Sequence, residues 1–332
     1  MAGTLTSMRR SWFIGALMIV VAGSGCASSE PTSTVQPADT VAAPTTTATT
    51  ATTTAATPTS GCSTTTFGGA RPVTLHVPAS YRCGTAAPLV IALHGFTNSG
   101  DSVDRYFAMT AESDKRGFLY AHPDGTKDNR GNSFWNATDA CCNFNSLPTD
   151  DSTYLSALIT DIEAAYDVDP SRVYVMGHSN GGFMSYRMAC EHSDQIAAIA
   201  SLAGAMWSDT TKCNPSHPVS VVQIHGTSDS TIAYTGGQIE LAEYPPASIS
   251  VKDWVGFDGC AATADESAAP LDLDSGLPGA ETQITAYSGC KDGTAVQLWA
   301  IQGGVHTPAL TPAFASSVID FFLSHPKAHP KA

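Results

Sequence analysis

Positive charge is scarce in this chain. Of its 332 residues only 16 are lysine or arginine, against 30 aspartates and glutamates, for a formal net charge of −14. Charged residues of both signs make up 14%, well below the roughly 25% of an ordinary soluble chain. So acidic a balance argues against nucleic acid as a partner and disfavours polyanionic substrates. No apolar run reaches the roughly 18 residues that a membrane-spanning helix needs. There is no C-x-x-C pair and no histidine cluster at ligand spacing, so neither a metal nor a cofactor is expected. No internal repeat is visible.

The N-terminus is not globular. Arg9-Arg10, the apolar stretch Trp12 to Val21 and the small residues after it read as a signal peptide over 1–25. Gly23-Ser24-Gly25-Cys26 resembles a bacterial lipobox, which makes Cys26 the expected lipidation site. From there to about residue 60 the chain is almost all Thr, Ala, Pro and Ser and offers nothing to build a core. It reads as a disordered tether over 26–60, which as a flexible coil would span roughly 30–35 Å. The protein is thus expected to be exported and held at the cell surface, touching a membrane only through its lipid. The catalytic domain is expected over 61–326, with a Pro/His/Lys tail over 327–332.

Nine cysteines fit an exported chain. Setting Cys26 aside leaves an even set. Spacing pairs Cys62 with Cys83, Cys190 with Cys213, and Cys260 with Cys290, each closing a loop of about 20 to 30 residues and worth ~3 kcal/mol by chain entropy. Cys141 and Cys142 are left to bond to each other.

The most informative stretch is Gly177-His178-Ser179-Asn180-Gly181-Gly182, a G-x-S-x-G pattern. Arg172 to Met176 before it reads as a buried β-branched strand, and Phe183 to Cys190 after it as a helix. Strand, tight glycine turn and helix together are the nucleophile elbow of an α/β-hydrolase. Further apolar strands are expected at Val73 to Val77 (an edge), Pro88 to Leu93, Phe118 to Ala121, Ile196 to Leu202, Val219 to Ile224 and Val296 to Ile301. Helices are expected from Tyr154 onward, capped by Asp150 or Asp151, and around Phe314 to Leu323. Continuously apolar strands alternating with helices imply a mostly parallel sheet with helices on both faces. Ligands then bind at the carboxyl ends of the strands.

A serine hydroxyl needs a general base to attack a carbonyl. In this fold the chain order is Ser, then acid, then His. Of ten histidines, His306, His325 and His329 come late enough, and the last two lie in or beside the tail. His306 follows a strand and Gly303-Gly304-Val305, and is the expected base. Val219 to Ile224 leads into His225-Gly226-Thr227-Ser228-Asp229, which makes Asp229 the expected acid; Asp253 and Asp258 lie further from the strand end. The backbone N–H groups of Asn180 and Phe96 are the expected oxyanion donors. Trp135, in a polar loop, could wall a substrate pocket or staple that loop to the domain, and both readings stand.

Taken together these residues resemble the secreted esterases that include polyhydroxybutyrate depolymerases and feruloyl esterases. The resemblance covers about Val73 to Phe322. It rests on Leu93-His94-Gly95-Phe96, Trp135-Asn136, Cys141-Cys142, Asp150-Asp151, the Ser179 elbow, His225-Gly226-Thr227-Ser228-Asp229 and Gly303-Gly304-Val305-His306. It implies Ser179, Asp229 and His306 as a triad. The chain departs from the family after His306, where Thr307-Pro308-Ala309 replaces a common tryptophan and glycine. The expected activity is hydrolysis of a small or carbohydrate-linked carboxylic ester, of feruloyl or short hydroxyalkanoate type, by a monomer. The alternatives are acyl transfer to a cell-envelope carbohydrate and non-catalytic binding on a hydrolase scaffold.

Overall fold

The computed structural model describes residues 62–328. The expected signal peptide, Cys26 and the tether lie outside the described residues.

Seven strands form the central sheet: β1 (Ala87–Leu93), β2 (Leu119–Ala121), β3 (Val168–His178), β4 (Ala198–Leu202), β5 (Ser220–Gly226), β6 (Thr282–Tyr287) and β7 (Val296–Ile301). Their order across the sheet is β6-β7-β5-β4-β3-β1-β2. Every neighbouring pair is parallel except β6 with β7. Helices α1 (Gly100–Phe107), α2 (Met109–Arg116), α3 (Asp151–Ala165), α4 (Asn180–Glu191), α5 (Ala247–Asp258) and α6 (Pro312–Ser324) cover it. This is an α/β-hydrolase fold.

Alternation within each strand feeds two cores, because successive side chains point to opposite faces. Leu89, Ile91, Val173 and Val175 join α3, α4 and α5 on one face. Val90, Ala92, Tyr174 and Met176 join α1 and α6 on the other. With both faces covered, the strands can be apolar throughout, and β1 is buried along its whole length.

Helix starts follow local chemistry. Ser99 and Ser102 make a reciprocal capping box at α1. Asp150 caps α3 by accepting from Thr153 N–H at 3.1 Å. Asp151 does something else. Fully buried, it accepts from Arg71 Nη1 at 2.6 Å, Thr126 Oγ1 at 2.8 Å and Asn136 N–H at 2.7 Å.

Val73 to Val77, expected as an edge strand of the main sheet, is not one. Val73–Thr74 pairs antiparallel with Thr66–Phe67, and His76 makes a single bridge to Tyr120. Pairing stops after His76, and Pro78, two residues on, has no N–H with which to extend it. At the other end the packed region runs through Lys327. This residue is buried, donates from its backbone N–H to Ser171 O at 2.8 Å, and reaches Pro218 O with Nζ at 3.4 Å. The disulfides join Cys62 to Cys83, Cys141 to Cys142, Cys190 to Cys213 and Cys260 to Cys290.

Candidate active site

Strand β3 ends at His178, and Ser179 follows with φ 54° and ψ −118°. A non-glycine residue at positive φ is strained and persists only where its surroundings hold it. Here Ser179 N–H donates to Leu202 O at 2.8 Å, and Ser179 O accepts from Phe183 N–H at 3.0 Å. Two glycines make room for the turn. A Cβ at Gly177 would overlap the backbone of Gly181, and one at Gly181 would overlap the carbonyl of Leu93. The sharp turn therefore depends on glycine at both positions, and it lifts the hydroxyl above the carboxyl ends of the strands.

Neighbouring strands β5 and β7 deliver the other two side chains. Their exit loops are tied together: Ser228 N–H donates to Gly304 O at 2.9 Å and Gly303 N–H to Thr227 Oγ1 at 2.8 Å. His306 Nδ1 lies 2.7 Å from Asp229 Oδ2, and His306 Nε2 lies 2.9 Å from Ser179 Oγ. A carboxylate only accepts, so Nδ1 carries the ring proton and Nε2 is left to accept from the serine hydroxyl. The structure thus brings together three side chains that the sequence separates by 127 and 77 positions.

Asp229 has no exposed side-chain surface. Burial alone would push its carboxyl up. Hydrogen bonds from His225 and His306, the charge of His306 and the N–H of Thr231 outweigh it and hold the group well below the usual carboxylate range. Its Oδ1 accepts from Thr231 and Ile232 N–H at 2.8 and 2.9 Å, and His225 Nε2 stands 3.3 Å from Oδ2. An ionised Asp229 is the form that can hold the His306 ring. The rivals Asp253 and Asp258 lie on α5; Asp258 is bonded to Thr294 and Val219 and not to His306.

Phe96 follows the end of β1. Thr97 N–H donates to Ser133 O at 2.8 Å and Asn98 N–H to Gly95 O at 3.1 Å, so the loop is fixed on both sides of it. His94, buried beneath, donates from Nδ1 to Gly95 O at 2.7 Å and accepts at Nε2 from Gly125 N–H at 2.9 Å. Burial pushes the His94 imidazole down, which keeps it neutral for both roles. Asn180 opens α4, where backbone N–H groups have no partner within the helix.

Trp135 does not wall a substrate pocket. It is fully buried, and its indole N–H donates to His94 O at 3.1 Å. Asn180 grips its backbone, accepting from Trp135 N–H at 2.7 Å and donating to Trp135 O at 2.9 Å. A side chain with no exposed face can only staple, and this one joins its loop to both β1 and the elbow. A cavity of about 820 Å³ opens beyond that loop, walled by Phe144, Arg187, Trp207 and Leu241 among others, with none of Ser179, Asp229 and His306 in its lining. Phe144 meets the Phe96 ring edge-on at 5.3 Å, which sets the cavity beside the Phe96 loop.

Sequence reasoning gave no role at the site to His178, His225, Tyr106 or Asp151. The first is the variable position of the motif, and the second lies within the quoted Asp229 motif. No local signal marks Tyr106, and Asp151 reads as a candidate helix cap and as part of the Asp150-Asp151 motif.

Serine, histidine and aspartate joined by hydrogen bonds at the strand ends match the arrangement common to hydrolases of this fold. The chain belongs to the Esterase family, whose model, described as "Putative esterase", matches residues 64–243. It is a carboxylic ester hydrolase. It is 28% identical over 307 residues to the "Putative esterase NocK" of Nocardia uniformis subsp. tsuyamanensis, covering 88% of each chain. It is 28% identical over 244 residues to feruloyl esterase B of Piromyces equi, covering 71% of this chain and 42% of that one. Among solved structures, the acetyl xylan esterase from Aspergillus awamori superposes with a TM-score of 0.53 at 19% identity, covering 76% of this chain and 93% of that one.

Proposed function

We propose that Ser179, His306 and Asp229 are a catalytic triad that hydrolyses esters through an acyl-enzyme. The observation that carries this reading is the continuous chain Ser179 Oγ–His306–Asp229 at 2.9 and 2.7 Å. His306 Nε2 takes the hydroxyl proton as Oγ attacks the ester carbonyl. The imidazolium so formed is balanced by the Asp229 carboxylate. The N–H groups of Phe96 and Asn180 receive the developing oxyanion, and losing one such donor costs roughly 10²- to 10³-fold in turnover. His306 then protonates the leaving alcohol, and water activated by the same imidazole releases the acid and restores Ser179.

The substrate is an uncharged ester of feruloyl or short hydroxyalkanoate type. The surplus of acid over base in the chain disfavours an anionic one. Ion pairs also cancel much of the charge around the neighbouring cavity. Arg187 meets Glu191 at 2.9 Å, and Lys212 meets Asp139. In this reading that cavity, beside the Phe96 loop, takes the larger part of the ester. The protein is exported, a reading supported by its disulfides, and Cys26 carries a lipid.

A fluorophosphonate probe tests the nucleophile. The native enzyme should be labelled and Ser179→Ala should not, with turnover of feruloyl and hydroxybutyrate esters falling at least ~10³-fold. Labelling or hydrolysis that survives in Ser179→Ala would remove Ser179 from the role. Metabolic labelling with a fatty-acid analogue, lost in Cys26→Ser, tests the anchor.

A further inference from the structure

The base and the nucleophile of this site come from segments far apart in the chain, and their separation must hold to a fraction of an ångström. We propose that His178 and Tyr106 form a clamp that positions His306 against Ser179, which makes them positioning residues for the ester hydrolysis. This rests on the triad reading above.

His178 is buried at 6% exposure. Its Nε2 lies 2.9 Å from the backbone carbonyl oxygen of His306. A carbonyl accepts, so Nε2 carries the proton and donates. The two imidazoles sit with ring centroids 5.0 Å apart. Two residues further on, Pro308 O accepts from the Tyr106 hydroxyl at 3.0 Å. Tyr106 comes from α1 and meets the His178 ring edge-on at 5.3 Å. Both carbonyls that bracket the turn after His306 are therefore held by side chains, one from the elbow and one from α1.

The covalent arrangement gives this contact its consequence. His178 and Ser179 are adjacent, so one dipeptide sets the positions of both reacting groups. Ser179 presents the hydroxyl while His178 holds the backbone from which the base hangs. An ordinary buried histidine would satisfy its N–H on any nearby carbonyl. This one uses the carbonyl of the base itself. Protonation state supports the role. Burial lowers the His178 imidazole to about 4, so it stays neutral with a single N–H. Burial, with the nearby Asp274 carboxylate, raises the Tyr106 phenol, so it remains a donor.

Kinetics on the full chain tests the clamp. His178→Leu removes the donor and Tyr106→Phe removes only a hydroxyl. The expected result is a fall in kcat of about 10- to 100-fold for His178→Leu and a few-fold to about tenfold for Tyr106→Phe, the scale of a reacting group misplaced by an ångström or less. KM should stay within about twofold and the acid limb of the pH profile should keep its midpoint, since neither group exchanges a proton with substrate. In His178→Gln the amide nitrogen reaches about where Nε2 sits, and it should recover most of the lost kcat. The proposal is overturned if folded His178→Leu keeps kcat within twofold, or if Gln does no better than Leu. Should His178→Leu not fold, the Gln and Tyr106→Phe variants decide the matter by the same split of kcat from KM. Full turnover in Ser179→Ala would instead sink the triad reading, whereas a dead Ser179→Ala beside a fully active His178→Leu sinks the clamp alone.

Discussion

The two faces of the sheet hold themselves together by different means. On the face covered by α3, α4 and α5, every disulfide places at least one cysteine in or against the core. On the face covered by α1 and α6, the buried core has no cysteine among the described residues and relies on rings. Tyr174 and Phe322 stack 4.8 Å apart at 2°, and Phe107 stacks on Phe314 at 5.3 Å. The difference follows the connections. Long segments lead into and out of α5 and join β4 to β5, and closing such loops covalently removes unfolded-state entropy. Helices α1 and α6 lie directly on the strands, where apolar area alone suffices. The site draws on both: Trp135 staples the Phe96 loop from the disulfide face, while Tyr106 reaches the His306 loop from the aromatic one.

The largest stability change should come from the ring-built face. Phe322→Ala removes a fully buried ring and should cost about 3–5 kcal/mol, by equal amounts in oxidising and reducing buffer. On the other face, replacing Cys260 and Cys290 by serine reopens a loop with a sequence separation of 30. This should cost about 3 kcal/mol and leave kcat at 25 °C unchanged, because neither residue approaches the rim. Denaturant unfolding measures both. The sites lie across the sheet from one another, so the losses should add to within about 0.5 kcal/mol in the triple variant. Strong coupling between them would mean that the faces are not independent, and the contrast would fail.

Legibility in the sequence also divided by region. The strand-turn-helix around Ser179 was readable because glycine spacing, β-branched residues and chain order are local signals. Asp229 and His306 were readable for a different reason: strand ends in this fold are where loops carry chemistry, so placing the strands placed the candidates. Strand β6 escaped notice, since Gln283, Thr285 and Tyr287 make it a half-exposed antiparallel edge with little apolar content. Helix α5 escaped because Gly256, Ser248 and Ser250 dilute its period. Trp135 was ambiguous in principle. Its type fits a pocket wall and a staple equally, and the choice turns on partners 41 and 45 positions away. His178 shows the same limit, since its partner His306 lies 128 positions away.

A smaller effect distinguishes the faces by charge rather than by cross-linking. Asp258, at the end of α5, is fully buried. Burial raises its carboxyl to about 6, against help from Thr294, Val219 N–H and the cations Lys327 and Lys291. A folded-state value above the unfolded one means the native protein prefers the neutral acid. The stabilisation is therefore complete below the ordinary value of 3.8 and is lost as pH climbs to about 6. Lys327 answers it in part. Burial lowers its amine to about 8, so at neutral pH it is largely charged and faces Asp258, along with Asp194 and Asp292. The net effect of ionising Asp258 should be of order 1–3 kcal/mol, the upper end being the uncompensated shift. Asp258→Asn keeps an acceptor for Val219 N–H and cannot ionise. Relative to the native protein it should gain stability between pH 4.5 and pH 7, read as the difference in Tm at the two values. A variant that instead lost ground over that interval would show that the ionised carboxylate is the native form. The disulfide face would then hold a favourable buried ion pair instead of a charge it tolerates.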